Sequence, residues 1–312
     1  MTQPANQLRM GATEWALLLF LSMLWGGSFF FNKIAVHELP PFTVVFWRVG
    51  GGAAILAVVA LASGLEFPKT LGGWLPYLVM GLLNNVLTFN LIVWGQKEIG
   101  AGMASVLNAG TPLAGAIIAH FFTSDEKLHS NRLLGVLVGL AGVAVLVGPA
   151  GLSLNWGPLM GALAVIAATL SYGGAGVWGK RFRGVPALTS ACCQLICSTL
   201  VMAPLVAIVD QPWTHAPPSV QAIGALAGLA AISTALAYVI FFTILRRAGA
   251  ANVMLVTLLV PFTATALGIL FLDESLRPTD LAGAALVALA LLIIDGRPFA
   301  ALRRTSVPGP AS

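Results

Sequence analysis

Ten stretches of mostly apolar residues follow one another along the chain, with little charged sequence between them. They lie at 13–32, 42–62, 73–95, 101–122, 132–148, 157–179, 186–209, 221–245, 250–271 and 279–295. About twenty such residues is the length an α-helix needs to cross the hydrocarbon core of a bilayer. A soluble protein could bury this much apolar sequence only beneath a charged shell. Charged residues make up 9% of the 312, whereas soluble domains carry about 25%. The expected fold is therefore an all-α polytopic membrane protein of ten transmembrane helices.

In such a chain an excess of Lys and Arg reports topology rather than affinity for nucleic acid, and no nucleic-acid partner is expected. With the N-terminus placed in the cytoplasm, twelve basic residues fall on that side: Arg9, Lys69, Lys127, Arg132, Lys180, Arg181, Arg183, Arg246, Arg247, Arg297, Arg303 and Arg304. Three fall outside, Lys33, Lys97 and Arg277. That bias predicts cytoplasmic N- and C-termini. The polar start, "MTQPANQLRMGATEW", leads into a span of ordinary length without a small-residue cleavage site, and reads as a retained first helix. Cys192, Cys193 and Cys197 share one apolar run and read as packing residues; no disulfide framework, metal site or cofactor is expected.

The chain also repeats itself. "DEKLHSNRLLG" at 125–135 aligns with "DESLRPTDLAG" at 273–283. Gly100, Ala101 and Pro112 meet Gly249, Ala250 and Pro261, and "WGGSFFFNK" at 25–33 resembles "YGGAGVWGK" at 172–180. The halves are 1–150 and 151–312, joined around "GPAGLSLNWGP". Five spans is an odd number, so the second half enters the membrane inverted, the arrangement of many secondary transporters. Each half carries a fourth span with a central proline and then an acidic hairpin: Pro112 with Glu126, Pro261 with Glu274. With the early "LWGGSFFFNK" and the "WR" at 47–48, this resembles the EamA-type drug/metabolite transporter superfamily. The resemblance implies a basket of ten helices exporting small metabolites such as amino acids, the YddG-type amino-acid exporters being the preferred comparison. Some members of the superfamily instead carry nucleotide sugars or triose phosphates.

Polar groups inside spans are costly unless paired or facing water, so they mark a lumen. Asn84, Asn85, Thr88 and Asn90 crowd the third span. Asn84, Thr88 and Trp94 fall roughly on one helical face, with Asn85 turned away, so one asparagine is expected to line a cavity and the other to join a neighbouring helix. Pro112 and Pro261 should bend their helices and free the carbonyls of Asn108 and Thr257 as a pseudosymmetric polar waist; curved packing helices are the alternative. Trp25, Tyr172, Trp178 and Tyr238 are candidate lining aromatics, with plain core packing as the other reading. Arg48 lies within the second span, where it either snorkels to the outer headgroups or faces the lumen and attracts an anion. "GVLVG", "GPLMG" and "GALAG" fit close packing of helices within one chain, and a monomer is expected.

No Asp or Glu lies deep in a span, and His120 is the only span histidine. Facilitated export fits this better than proton coupling. An intramembrane enzyme would need paired carboxylates, a nucleophile with its base, or a histidine cluster at helix depth, none of which the spans supply. A carrier of sugar phosphates would need several lumenal cations, and only Arg48 is available. The reading is a multi-pass inner-membrane exporter of small metabolites, with a small-molecule substrate and the lipid bilayer as its partners.

Overall fold

The computed structural model describes residues 10–123, 130–152, 156–182, 184–253 and 255–295. Glu126, one of the paired hairpin carboxylates, lies outside them. The described residues contain helices and turns and no strand.

The described residues form ten apolar helical segments: α1 (Ala12–Glu38), α2 (Pro41–Ala62), α3 (Leu71–Glu98), α4 (Ala101–Phe122), α5 (Ser130–Leu152), α6 (Trp156–Gly179), α7 (Ala187–Leu205), α8 (Val220–Ala248), α9 (Val256–Phe271) and α10 (Pro278–Asp295). Seven helices are long and apolar enough to cross a membrane, and three shorter apolar stretches complete the set in α5, α9 and α10. α1 runs on well past the expected 13–32, through Lys33 and Glu38. The charge does not end the helix because the Lys33 ammonium donates to the carbonyls of Gln96 and Ile99, at 2.6 and 3.2 Å.

The packing is two-fold. α1 lies against α8 and α9, while α6 lies against α3 and α4; α2 meets α7, and α5 meets α10 in the most extensive pairing. Each contact thus maps onto another, or onto itself, when the halves are exchanged. The glycines of the GxxxG stretches that pack closely do so inside the chain. Gly161 of α6 faces Gly95 of α3, and Gly228 of α8 faces Phe31 of α1.

Three helices widen into π-helical turns: Leu82–Leu87 in α3, Gly228–Leu236 in α8, and Val206–Asp210 following α7. The first two occupy corresponding places in the halves. A π turn shifts the helical face by one residue and frees polar backbone, a frequent device at functional sites. In α3 the freed group is the Leu83 carbonyl, which accepts from the hydroxyls of Thr88 and of Ser171 on α6, both at 2.7 Å.

The two prolines do not act alike. α4 breaks outright at Ala109–Gly110, and Pro112 opens the segment Thr111–Phe122. In the second half the interruption lies between Ala250–Val253 and Val256, while Pro261 sits inside a continuous helix. The two prolines thus do not form matching bends among the described residues. The Asn108 carbonyl is also not open, since the Thr111 hydroxyl donates to it at 2.7 Å. A helix that breaks can satisfy its carbonyls with local side chains, and no exposed polar ring results.

Candidate functional site

The polar side chains of α2, α3, α7 and α8 converge between the halves. α2 carries glycines where it crosses α8. A Cβ on Gly51 would lie 2.7 Å from the Ala230 Cβ, and one on Gly52 would lie 2.7 Å from the Thr234 Cγ2. This close approach brings Arg48, one turn earlier, onto the π turn of α8. Its Nε donates to the Thr234 hydroxyl at 3.3 Å, and its Cζ stands 3.8 Å from the ring centroid of Phe89 on α3. Arg48 is 6% exposed, so it does not snorkel: its side chain turns inward.

Asn84 on α3 is joined to the same group through Tyr238. Its amide nitrogen has three acceptors within reach: Asn85 Oδ1 at 3.1 Å, Gln194 Oε1 on α7 at 3.2 Å and the Tyr238 hydroxyl on α8 at 3.4 Å. Asn85 is wholly buried and donates to the Ser198 hydroxyl on α7 at 3.0 Å. Ser198 in turn reaches the Gln194 carbonyl at 2.7 Å. Asn85 fastens α3 to α7, and Asn84 sits at the meeting point of α3, α7 and α8. Tyr172 of α6 packs against both apolar cores of the molecule, and its ring and that of Tyr238 lie within electrostatic reach of Arg48.

Other candidates are placed elsewhere. Trp25 packs against Phe241 with centroids 5.5 Å apart, at the edge of one core. Trp178 donates to the Pro76 carbonyl at 3.0 Å and lies under the Arg181 guanidinium, away from Arg48. Trp94 is 44% exposed and Thr88 fully buried, so the shared face expected for them with Asn84 does not exist: both lie in the α segment that follows the π turn, where six residues set them about 120° apart. Thr257 is half-buried near the start of α9, and the Asn108 Oδ1 is buried without a partner. A groove of about 650 Å³ between α4, α9 and α10 is lined by Met103, Pro261 and Phe262, and by none of the Arg48 cluster.

Gln194, Ser198 and Thr234 were not among the sequence candidates. The spacing of Gln194 and Ser198, one turn apart in an apolar run, is the signal that could have found those two.

A second set of contacts joins the halves at the ends assigned to the exterior by charge. In each, a carboxylate from one half receives hydrogen bonds at a helix N-terminus of the other. Asp210 accepts from the Thr43 amide and hydroxyl at 2.6 and 2.8 Å. Glu38 accepts from the Ser219 amide and hydroxyl at 2.7 and 2.6 Å. Glu274 accepts from the Ala101 and Gly102 amides at 2.6 and 3.0 Å. Each places a negative charge on the positive end of a helix dipole. At the opposite ends, a looser pair links Arg247 with Glu14 at 3.7 Å.

The chain matches the EamA-like transporter family twice, over residues 13–148 and 159–295. Among its relatives, a probable amino-acid metabolite efflux pump of Escherichia coli (strain K12) is 26% identical over 295 residues, covering 91% of this chain and 95% of that one. The uncharacterized transporter YoaV of Bacillus subtilis (strain 168) is 24% identical over 281 residues, covering 88% and 94%. A solved crystal structure superposes with a TM-score of 0.63 at 18% identity, covering 91% of this chain and 97% of that one, and shows the same fold. The chain belongs to the EamA-like transporter family.

Proposed function

We propose that this protein exports small metabolites, amino acids first among them, across the inner membrane by alternating access. The observation that carries the reading is the cluster of Arg48, Asn84, Gln194, Thr234 and Tyr238, drawn from both halves and set in apolar surroundings. A membrane protein tolerates such a cluster where it lines a path for polar cargo. The efflux-pump relative supports amino acids as the class. The two repeats, 1–150 and 151–312, would rock against each other about this cluster. The three carboxylate caps would hold the halves together at one face.

Export is facilitated rather than proton-coupled. No carboxylate or histidine borders the Arg48 cluster among the described residues, and the buried Asp210 is occupied at a helix end. The test is flux of labelled amino acids into liposomes carrying the purified protein, with and without a pH gradient. Flux independent of the gradient is expected. Flux only with the gradient would overturn the facilitated mechanism, and no flux under either condition would remove amino acids as cargo.

A further inference from the structure

A buried guanidinium is normally matched by a carboxylate or by several acceptors, because an uncompensated charge in a low-dielectric interior is expensive. Arg48 has neither. Among the described residues it makes one hydrogen bond, from Nε to Thr234, and no salt bridge. Phe89 covers one face of the guanidinium. The charged edge formed by Nη1 and Nη2 is left without a protein acceptor, and the nearby ring hydroxyls, Tyr172 and Tyr238, are neutral groups.

The geometry of what remains is specific. Thr234 fixes the rotation of the guanidinium through Nε, and Phe89 fixes its plane. The two terminal nitrogens then present a planar fork of parallel N–H bonds, which matches the two oxygens of a carboxylate. A flexible ammonium would not be held this way. Asn84 spends its amide nitrogen on Gln194, Asn85 and Tyr238, while its Oδ1 accepts nothing from the described residues. A free acceptor and an unpaired cation joined through Tyr238 have the polarity of a zwitterion's partner: the anion at Arg48, the ammonium at Asn84.

We propose that Arg48 is the carboxylate-binding residue of the transport site, and that the cargo is a monocarboxylate bearing an α-ammonium group, received by Asn84 Oδ1. This rests on the transport reading above and narrows it. One guanidinium balances one negative charge, which favours a monoanion over a dianionic phosphate ester. Thr234 and Phe89 are positioning residues: they hold the fork and do not touch the cargo.

The test uses purified full-length protein in detergent, titrated with proteinogenic amino acids and, for each that binds, with the amine left when its carboxylate is removed. The amine is expected to bind at least roughly tenfold more weakly than its amino acid. Arg48→Gln should erase that difference, Arg48→Lys should restore part of it, and Thr234→Val should weaken the amino acid by roughly three- to tenfold while leaving the amine unchanged. An amine that binds as well as its parent overturns the proposal, as does an Arg48→Gln protein of normal elution and melting that binds like the wild type. Binding of no amino acid at all overturns it too. Should Arg48→Gln fail to fold, the wild-type pair and Thr234→Val still decide. Amino acids bound through Arg48 but not carried in liposomes would leave the carboxylate site standing and remove the export reading instead.

Discussion

The carboxylate of Glu274 rests on the first turn of α4, 2.6 Å from the Ala101 amide, although 173 residues separate them in the chain. The loop after α9 thereby closes the N-terminus of a helix in the other half. Glycines leave the room: a Cβ on Gly268 would lie 2.5 Å from Glu274 Oε2, and one on Gly100 2.8 Å from its carboxyl group. Removing a carboxylate that caps a helix costs about 1–2 kcal/mol. Glu274→Ala is expected to lower the melting temperature of the detergent-solubilised protein, and Glu274→Gln to lower it less, because one oxygen still accepts. Gly268→Ala should destabilise through the same contact. Its effect should largely vanish in the Glu274→Ala background, where the new methyl has space, and a double-mutant cycle of melting temperatures reads that coupling.

The crossing of α2 and α8 gives a sharper comparison. Gly50 and Gly52 are two residues apart, yet a Cβ on Gly50 meets Thr199 at an ordinary 3.4 Å, whereas one on Gly52 meets Thr234 at 2.7 Å. Overpacking of this kind costs about 1–3 kcal/mol. Gly52→Ala should therefore lower the melting temperature and weaken transport, because it pushes Thr234 away from Arg48. Gly50→Ala should leave both near the wild-type value. Equal effects from the two substitutions would mean that the helices are not held together at Gly52.

Adjacent asparagines should separate by readout. Asn85 makes a buried bond to Ser198 that fastens α3 to α7, and interhelical bonds of this type average about 0.6 kcal/mol in membranes. Asn85→Ala should lower the melting temperature slightly and leave the apparent affinity for cargo unchanged. Asn84→Ala should do the reverse, weakening cargo affinity in liposome flux with little change in melting. Matching profiles would show that Asn84, too, is only a fastener.

What could be read in advance follows the range of the interactions. The spans announce themselves because twenty apolar residues in a row have few other uses, and Asn84 and Asn85 stand out against them. The partners do not. Nothing local marks Thr234 as the residue that orients Arg48, 186 positions away, and the π turn that carries it has no composition of its own. Thr88 and Trp94 share an α segment in which six residues set them about 120° apart, and the extra residue in the turn Leu82–Leu87 turns Trp94 further from Asn84. The prolines misled for a related reason. Proline removes one hydrogen bond wherever it falls, but whether the helix bends or breaks depends on its neighbours, and Ala109–Gly110 lets α4 break.

Lys33, one of three basic residues at the exterior ends, belongs to a network that ties α1 to the end of α3. Its ammonium donates to the Gln96 and Ile99 carbonyls, where it also opposes the negative end of the helix dipole. The Gln96 side chain, fully buried, accepts from Asn32 Nδ2 at 3.1 Å and donates to the Phe29 carbonyl at 2.9 Å. Asn32 Oδ1 already lacks a partner, so Gln96 supplies the one side-chain bond Asn32 makes among the described residues. Gln96→Leu fills the space but strands the Asn32 amide, a loss of about 1–3 kcal/mol. The double variant Asn32→Leu with Gln96→Leu replaces both partners by apolar groups and should recover most of that stability. Melting temperatures of the three proteins in detergent measure it. A double variant no more stable than Gln96→Leu alone would show that the bond to Asn32 is not what makes Gln96 costly to remove.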